Sequence, residues 1–148
     1  RAKLTWGDLA AMQIAVRALQ VPEVVQHLFN YADRDKVDTT TEYGGVIALD
    51  GKDRFEVREF QPVMRRHDQE FLASQAMLDA AYTSIFHFHL HAQIIRNERY
   101  AGPGFGDLNY ADNTRANCLV FTFIDENALN VDYYRHDRVV VDLGIIRR

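Results

Sequence analysis

Ile85-Phe86-His87-Phe88-His89-Leu90-His91 is the stretch around which this sequence organises itself. Apolar and imidazole side chains alternate along it, which is the period of a β-strand and not of a helix. Phe86, Phe88 and Leu90 then enter a core, while His87, His89 and His91 share the opposite face. Imidazoles at i and i+2 on one face start ~6.6–6.8 Å apart at their Cα atoms, a separation from which two side chains converge on one metal ion. A strand with so apolar a face has to be covered, so helices and further strands are expected around it.

Upstream, Leu4 to Tyr31 reads as helix. Thr5 is its N-cap, Asp8 a favourable acid in its first turn, and Leu9, Met12, Val16 and Leu19 its apolar stripe. Trp6 is expected to staple the helix start to the body. Pro22 breaks or restarts the helix, which Val24, Val25, Leu28 and Phe29 continue. Ala32 to Thr41 is polar and reads as a loop. Glu42 to Leu49 and Phe55 to Phe60 read as strands joined at Asp50-Gly51. His67 to Tyr82 reads as the second long helix. Downstream come a Gly-rich loop ending at Asp107 and a short helix, Leu108 to Thr114. The buried strand Cys118 to Ile124 follows, then a hairpin of Asn130 to Tyr134 and Arg138 to Leu143 around His136-Asp137. The fold class is therefore α+β (mixed α/β), a single sheet of five or six strands flanked by two longer helices. The 148 residues suit one domain, residues 1–148.

Composition narrows the function. With 47% hydrophobic and 26% charged residues, the chain is an ordinary globular mix. A net charge of −4 argues against nucleic acid or an anionic membrane as a main partner. A single cysteine, Cys118, rules out an internal disulfide framework and a Cys-based zinc finger, and its apolar strand suggests a small buried hydrophobe. No run approaches the ~20 apolar residues of a membrane helix, and no secretory signal is visible, so the expected location is cytoplasmic. Arg65-Arg66, Tyr133-Tyr134 and Arg147-Arg148 read as surface features.

A metal on the His face needs a carboxylate. Asp107 follows Ala101-Gly102-Pro103-Gly104-Phe105-Gly106, where its plainer role is to cap the next helix; Asp112 is the other choice. Further up, Glu42 precedes Tyr43-Gly44-Gly45-Val46-Ile47. Paired glycines weaken a strand and make sense where a ligand or another backbone approaches closely.

In this order the residues resemble the JAB/MPN (JAMM) metalloprotease family, whose pattern is a Glu before a Gly-Gly-hydrophobic strand, then H-x-H-P after a helix, then S-x-x-D. Glu42-Tyr43-Gly44-Gly45, His89-Leu90-His91 and Gly104-Phe105-Gly106-Asp107 match the three elements. Ala92 stands where the family has Pro, Gly104 where it has Ser, and Ile94 to Ala101 is an apparent insertion. The resemblance implies a cytidine-deaminase-like JAB/MPN architecture and one zinc held by His89, His91 and Asp107 with water as fourth ligand. The metal lowers the pKa of that water toward ~7, and Glu42 acts as general base. The missing Ser hydroxyl removes an oxyanion donor, whose place Asn109 or a backbone N–H would have to take. The implied activity is hydrolysis of a peptide or isopeptide bond in a peptide or protein substrate, ubiquitin-like conjugates included. A catalytically weak or inactive MPN-like interaction module, and a metal-free pocket for an anionic small molecule, are the alternatives.

Overall fold

In the computed structural model the described residues are 3–38, 43–60, 75–76, 84–91 and 102–148. They form helices α1 (Trp6–Ala18), α2 (Pro22–Val37) and α3 (Phe105–Thr114). The strands are β1 (Gly44–Leu49), β2 (Phe55–Phe60), β3 (Ser84–His91), β4 (Cys118–Asp125), β5 (Ala128–Arg135) and β6 (Val139–Arg147). The strands make one six-stranded sheet in the order β2-β1-β3-β4-β5-β6, so the architecture is mixed α+β. Only β3 and β4 run parallel. A parallel pair needs a crossover, and α3 lies in that connection.

The period-2 reading of β3 holds. Phe86, Phe88 and Leu90 are buried with Leu119, Phe121, Val131 and Tyr133 against α1 and α2, each fully buried apolar side chain contributing ~1.5–3 kcal/mol. The imidazole face is covered by α3, whose Ala111 and Leu108 pack on Cys118, Val120 and Tyr134. Helices thus lie on both faces of the sheet, and the His row lies beneath one of them.

Several expectations are corrected. The core-facing side of α1 is Asp8, Ala11, Ala15 and Ala18. Leu9 and Val16 are exposed, as is Trp6 at 88%, so Trp6 staples nothing within the described residues. Small side chains bring the helix axis close to the sheet, and the larger ones are left on the outside. Thr5 does cap α1, its hydroxyl accepting from the Asp8 N–H at 3.1 Å. Pro22 sits in the first turn of α2, where its missing N–H costs nothing. α2 runs on to Val37 instead of giving way to a loop at Ala32, because Ala32 and Asp35 fall on its buried side. The helix expected over His67 to Tyr82, with Arg65-Arg66, lies outside the described residues except for helical 75–76.

The paired glycines find their reason in a backbone contact. A Cβ at Gly45 would lie 2.1 Å from the Arg58 carbonyl oxygen of β2. Only glycine permits that approach. Tyr31 of α2 donates its hydroxyl to the Gly44 carbonyl at 2.7 Å, tying the entry of β1 to the helix layer.

Candidate metal centre

Asp107 does not precede its helix, as the sequence suggested; α3 begins at Phe105, so Asp107 is the third residue of the first turn. Its Oδ2 accepts the Gly104 N–H at 2.8 Å, which caps the helix and fixes the carboxylate. The positive end of the helix dipole favours a carboxylate here. From this position Asp107 reaches across the ends of His89 and His91. His89 Nε2 lies 2.9 Å from Asp107 Oδ1, and His91 Nε2 lies 3.4 Å from Oδ2. The two Nε2 atoms are 3.0 Å apart, so side chains that leave adjacent same-face positions of β3 do converge.

These spacings can be tested against a metal. Four-coordinate zinc has bonds of ~2.0–2.1 Å to imidazole nitrogen and carboxylate oxygen, which puts neighbouring donor atoms about 3.3 Å apart. The three separations here bracket that edge to within a few tenths of an ångström. His89 and Asp107 are buried and His91 is half-buried, so the group could hold a metal ion with one side open. Burial alone would raise the Asp107 carboxyl, yet attraction and hydrogen bonding from His89, then His91, hold it well below the usual carboxylate range.

No family model, curated protein or solved structure matches this chain. The reading of the site therefore rests on its own geometry.

Tyr134, read as surface packing from the sequence, is fully buried on the same face. Strand alternation separates the Tyr pair, sending Tyr133 to the α1 side and Tyr134 to the α3 side. The Tyr134 hydroxyl meets His89 Nδ1 at 3.2 Å and also reaches the Cys118 sulfur. Burial pushes both the tyrosine and the thiol upward, which favours their protonated forms. With Nε2 given to a metal, His89 must carry its proton on Nδ1, and Tyr134 is then the acceptor that holds this tautomer. Partners of this kind are worth ~10–100-fold in metal affinity. Tyr134→Phe is expected to weaken zinc binding by that factor with one zinc per chain still bound at saturation, read by competition with a chromogenic chelator.

The remaining candidates are placed as follows. His87 faces the same side but is held by the Tyr110 hydroxyl at Nδ1. Among the described residues its Nε2 is buried without a hydrogen-bond partner, and burial lowers the imidazole pKa. Asp112 is directed away from the group, accepting from the Asp137 N–H at 3.0 Å and pairing with Arg138. Asn109 accepts from Arg138 on the outer side of α3, so it supplies no oxyanion donor. Glu42 lies outside the described residues. Tyr43, its neighbour, accepts through its carbonyl from the Leu90 N–H at 2.9 Å, and Gly44 pairs with His89. Asp132 was not singled out in the sequence. It is buried on β5, and burial, with Asp142 nearby, raises its carboxyl to about 6 against the Asn130 hydrogen bond and His91. Among the described residues no helix is long and apolar enough to cross a membrane.

Proposed function

We propose that this chain is a metal-dependent hydrolase of the JAB/MPN type that cleaves a peptide or isopeptide bond. The observation that carries the reading is the convergence of His89, His91 and Asp107 at separations matching the edges of a zinc coordination tetrahedron. Zinc suits two imidazoles and one carboxylate, and when bound it supplies Lewis-acid polarisation of a carbonyl and activation of water near neutral pH.

The chain's own residues have the following roles in this reading. Asp107 is fixed by the Gly104 N–H, and His89 is oriented by Tyr134. Glu42 takes the proton of the attacking water and passes it to the leaving amine. Support for that placement is the chain path: β1 enters beside the ligands, through the Tyr43–Leu90 hydrogen bond and the Gly44–His89 pair. Gly104 offers no hydroxyl, and its N–H is already given to Asp107. Loss of one oxyanion donor costs ~10²–10³ in rate. This deficit favours, as second reading, a metal-binding interaction module without catalysis.

The test is cleavage of a model isopeptide, a glycine carboxyl joined to a lysine Nε, by zinc-loaded protein. Glu42→Gln is expected to lower the rate by at least ~100-fold with zinc content unchanged. Zinc-loaded wild type that cleaves neither this substrate nor a linear peptide supports the module instead. Full activity in Glu42→Gln removes Glu42 from the mechanism.

A further inference from the structure

The face of the sheet that carries the ligands does not end at β3. His91 pairs with Thr122, and Thr122 with Asn130; one step along, His89 pairs with Val120, and Val120 with Asp132. Paired residues share a face, so Thr122, Asn130 and Asp132 point to the side of His89 and His91. Strands lie ~4.8 Å apart, which puts Asn130 and Asp132 about 10 Å from the ligand positions, with Thr122 between.

All three are buried, at 0% exposure for Thr122, 5% for Asp132 and 8% for Asn130. Their hydrogen bonding is incomplete. Asn130 Nδ2 donates to Asp132 Oδ2 at 2.8 Å; among the described residues no second side-chain hydrogen bond or salt bridge to that carboxylate is seen, and His91 attracts it from further off. Thr122 Oγ1 has no hydrogen-bond partner among the described residues. Buried carboxylates are as a rule paired with a cation or met by several donors, and a lone amide does not suffice. Two further features mark the place. Buried Gly102 has φ +108°, and a Cβ there would lie 3.7 Å from the Asp132 carboxylate, so at this position bare backbone lies beside it. Asp142 stands opposite Asp132 on β6 and adds a second negative charge at the outer side.

We infer that Thr122, Asn130 and Asp132 form a subsite for a primary ammonium group, carried by the substrate as a lysine side chain or a free amino terminus. The carboxylate supplies the counter-charge, and the Thr hydroxyl and Asn carbonyl oxygens accept the remaining N–H bonds. The substrate role rests on the hydrolase reading, while the binding itself does not.

The experiment is an NMR titration of the Asn130 side-chain amide, in zinc-loaded and metal-free protein. Three probes are compared: Nα-acetyl-lysine amide, alanine amide, and neutral Nα-acetyl-norleucine amide. The expected result is a saturable shift with one or both ammonium compounds and none with the norleucine compound. The first two probes separate a side-chain from an amino-terminal source. Asp132→Asn is expected to weaken binding ~10–100-fold with zinc content unchanged. Thr122→Val keeps the volume and loses the hydroxyl; it is expected to weaken binding severalfold and decides the matter if Asp132→Asn does not fold. Equal shifts with the norleucine compound, no saturable shift with any probe, or wild-type affinity in a folded variant overturns the subsite. Zinc binding without ammonium binding overturns the subsite alone. Ammonium binding by protein that takes up no zinc overturns the hydrolase reading alone.

Discussion

Wild-type protein incubated with zinc and freed of excess should hold close to one ion per chain, and Asp107→Ala and His89→Ala should each hold essentially none. The expected loss exceeds ~100-fold in affinity, because outer partners of a metal site already cost ~10–100-fold and these side chains supply the donor atoms themselves. The physical argument is the crowding at the three donors. Two Nε2 atoms lie 3.0 Å apart, and both also face the Asp107 carboxylate. A divalent ion relieves that arrangement by giving each lone pair a common partner, and removing one donor leaves two ligands on an ion that wants four. Elemental analysis of protein made without an affinity tag, beside circular dichroism of each variant, reads the outcome. Zinc retained by both folded variants, or none taken up by the wild type, overturns the metal centre. Zinc lost in His89→Ala but kept in Asp107→Ala places the carboxylate ligand elsewhere.

Local pattern was enough for part of this structure. The alternation of Phe86, Phe88 and Leu90 with three imidazoles specifies β3 and both of its faces, since strand geometry leaves no other arrangement. His89, His91 and Asp107 were legible as donor types in a plausible order. The resemblance already took Asp107 over Asp112; what it did not contain is the start of α3, which puts Asp107 in the first turn facing the imidazoles and Asp112 beside Arg138. The α1 stripe misled because a large apolar side chain is not the one that fits where a helix lies close on a sheet, and Ala11, Ala15 and Ala18 are. Tyr134, Asp132 and Thr122 were hidden for a different reason. Each acquires its role only through the register of β3, β4 and β5, and no short-range pattern encodes which residues of separate strands stand side by side.

The same holds for the contact with the second large expected effect. Asp8 and Arg135 are 127 residues apart in sequence, and Arg135 bonds the Asp8 carboxylate through both Nε and a terminal guanidinium nitrogen, the latter at 2.8 Å. The Tyr133 hydroxyl lies 2.9 Å from the same carboxylate. Asp8 is almost fully buried and Arg135 nearly so. Breaking a buried pair by removing one partner costs more than the pair contributes, since the other charge is left without compensation. Arg135→Met is therefore expected to destabilise the fold by about 3 kcal/mol, a drop of ~10 °C in Tm for a domain of this size. Asp8→Asn, which strands the guanidinium and weakens the Thr5 cap, should do the same. The double variant should lose less than the sum, because its second change removes a charge already unpaired. Acid supplies an independent check with a definite sign. The Arg135 guanidinium, opposed by burial and helped by Thr5 and Tyr133, holds the Asp8 carboxyl well below its ordinary value of 3.8. The stabilisation is thus complete above that value and is lost as pH falls below it. Denaturant unfolding of the wild type between pH 6 and pH 3 should show the onset of this loss, and Arg135→Met should show a correspondingly flatter dependence. Equal stability of the single variants and the wild type at pH 6 would mean that the pair is an incidental contact and that α1 is held by its alanine face alone.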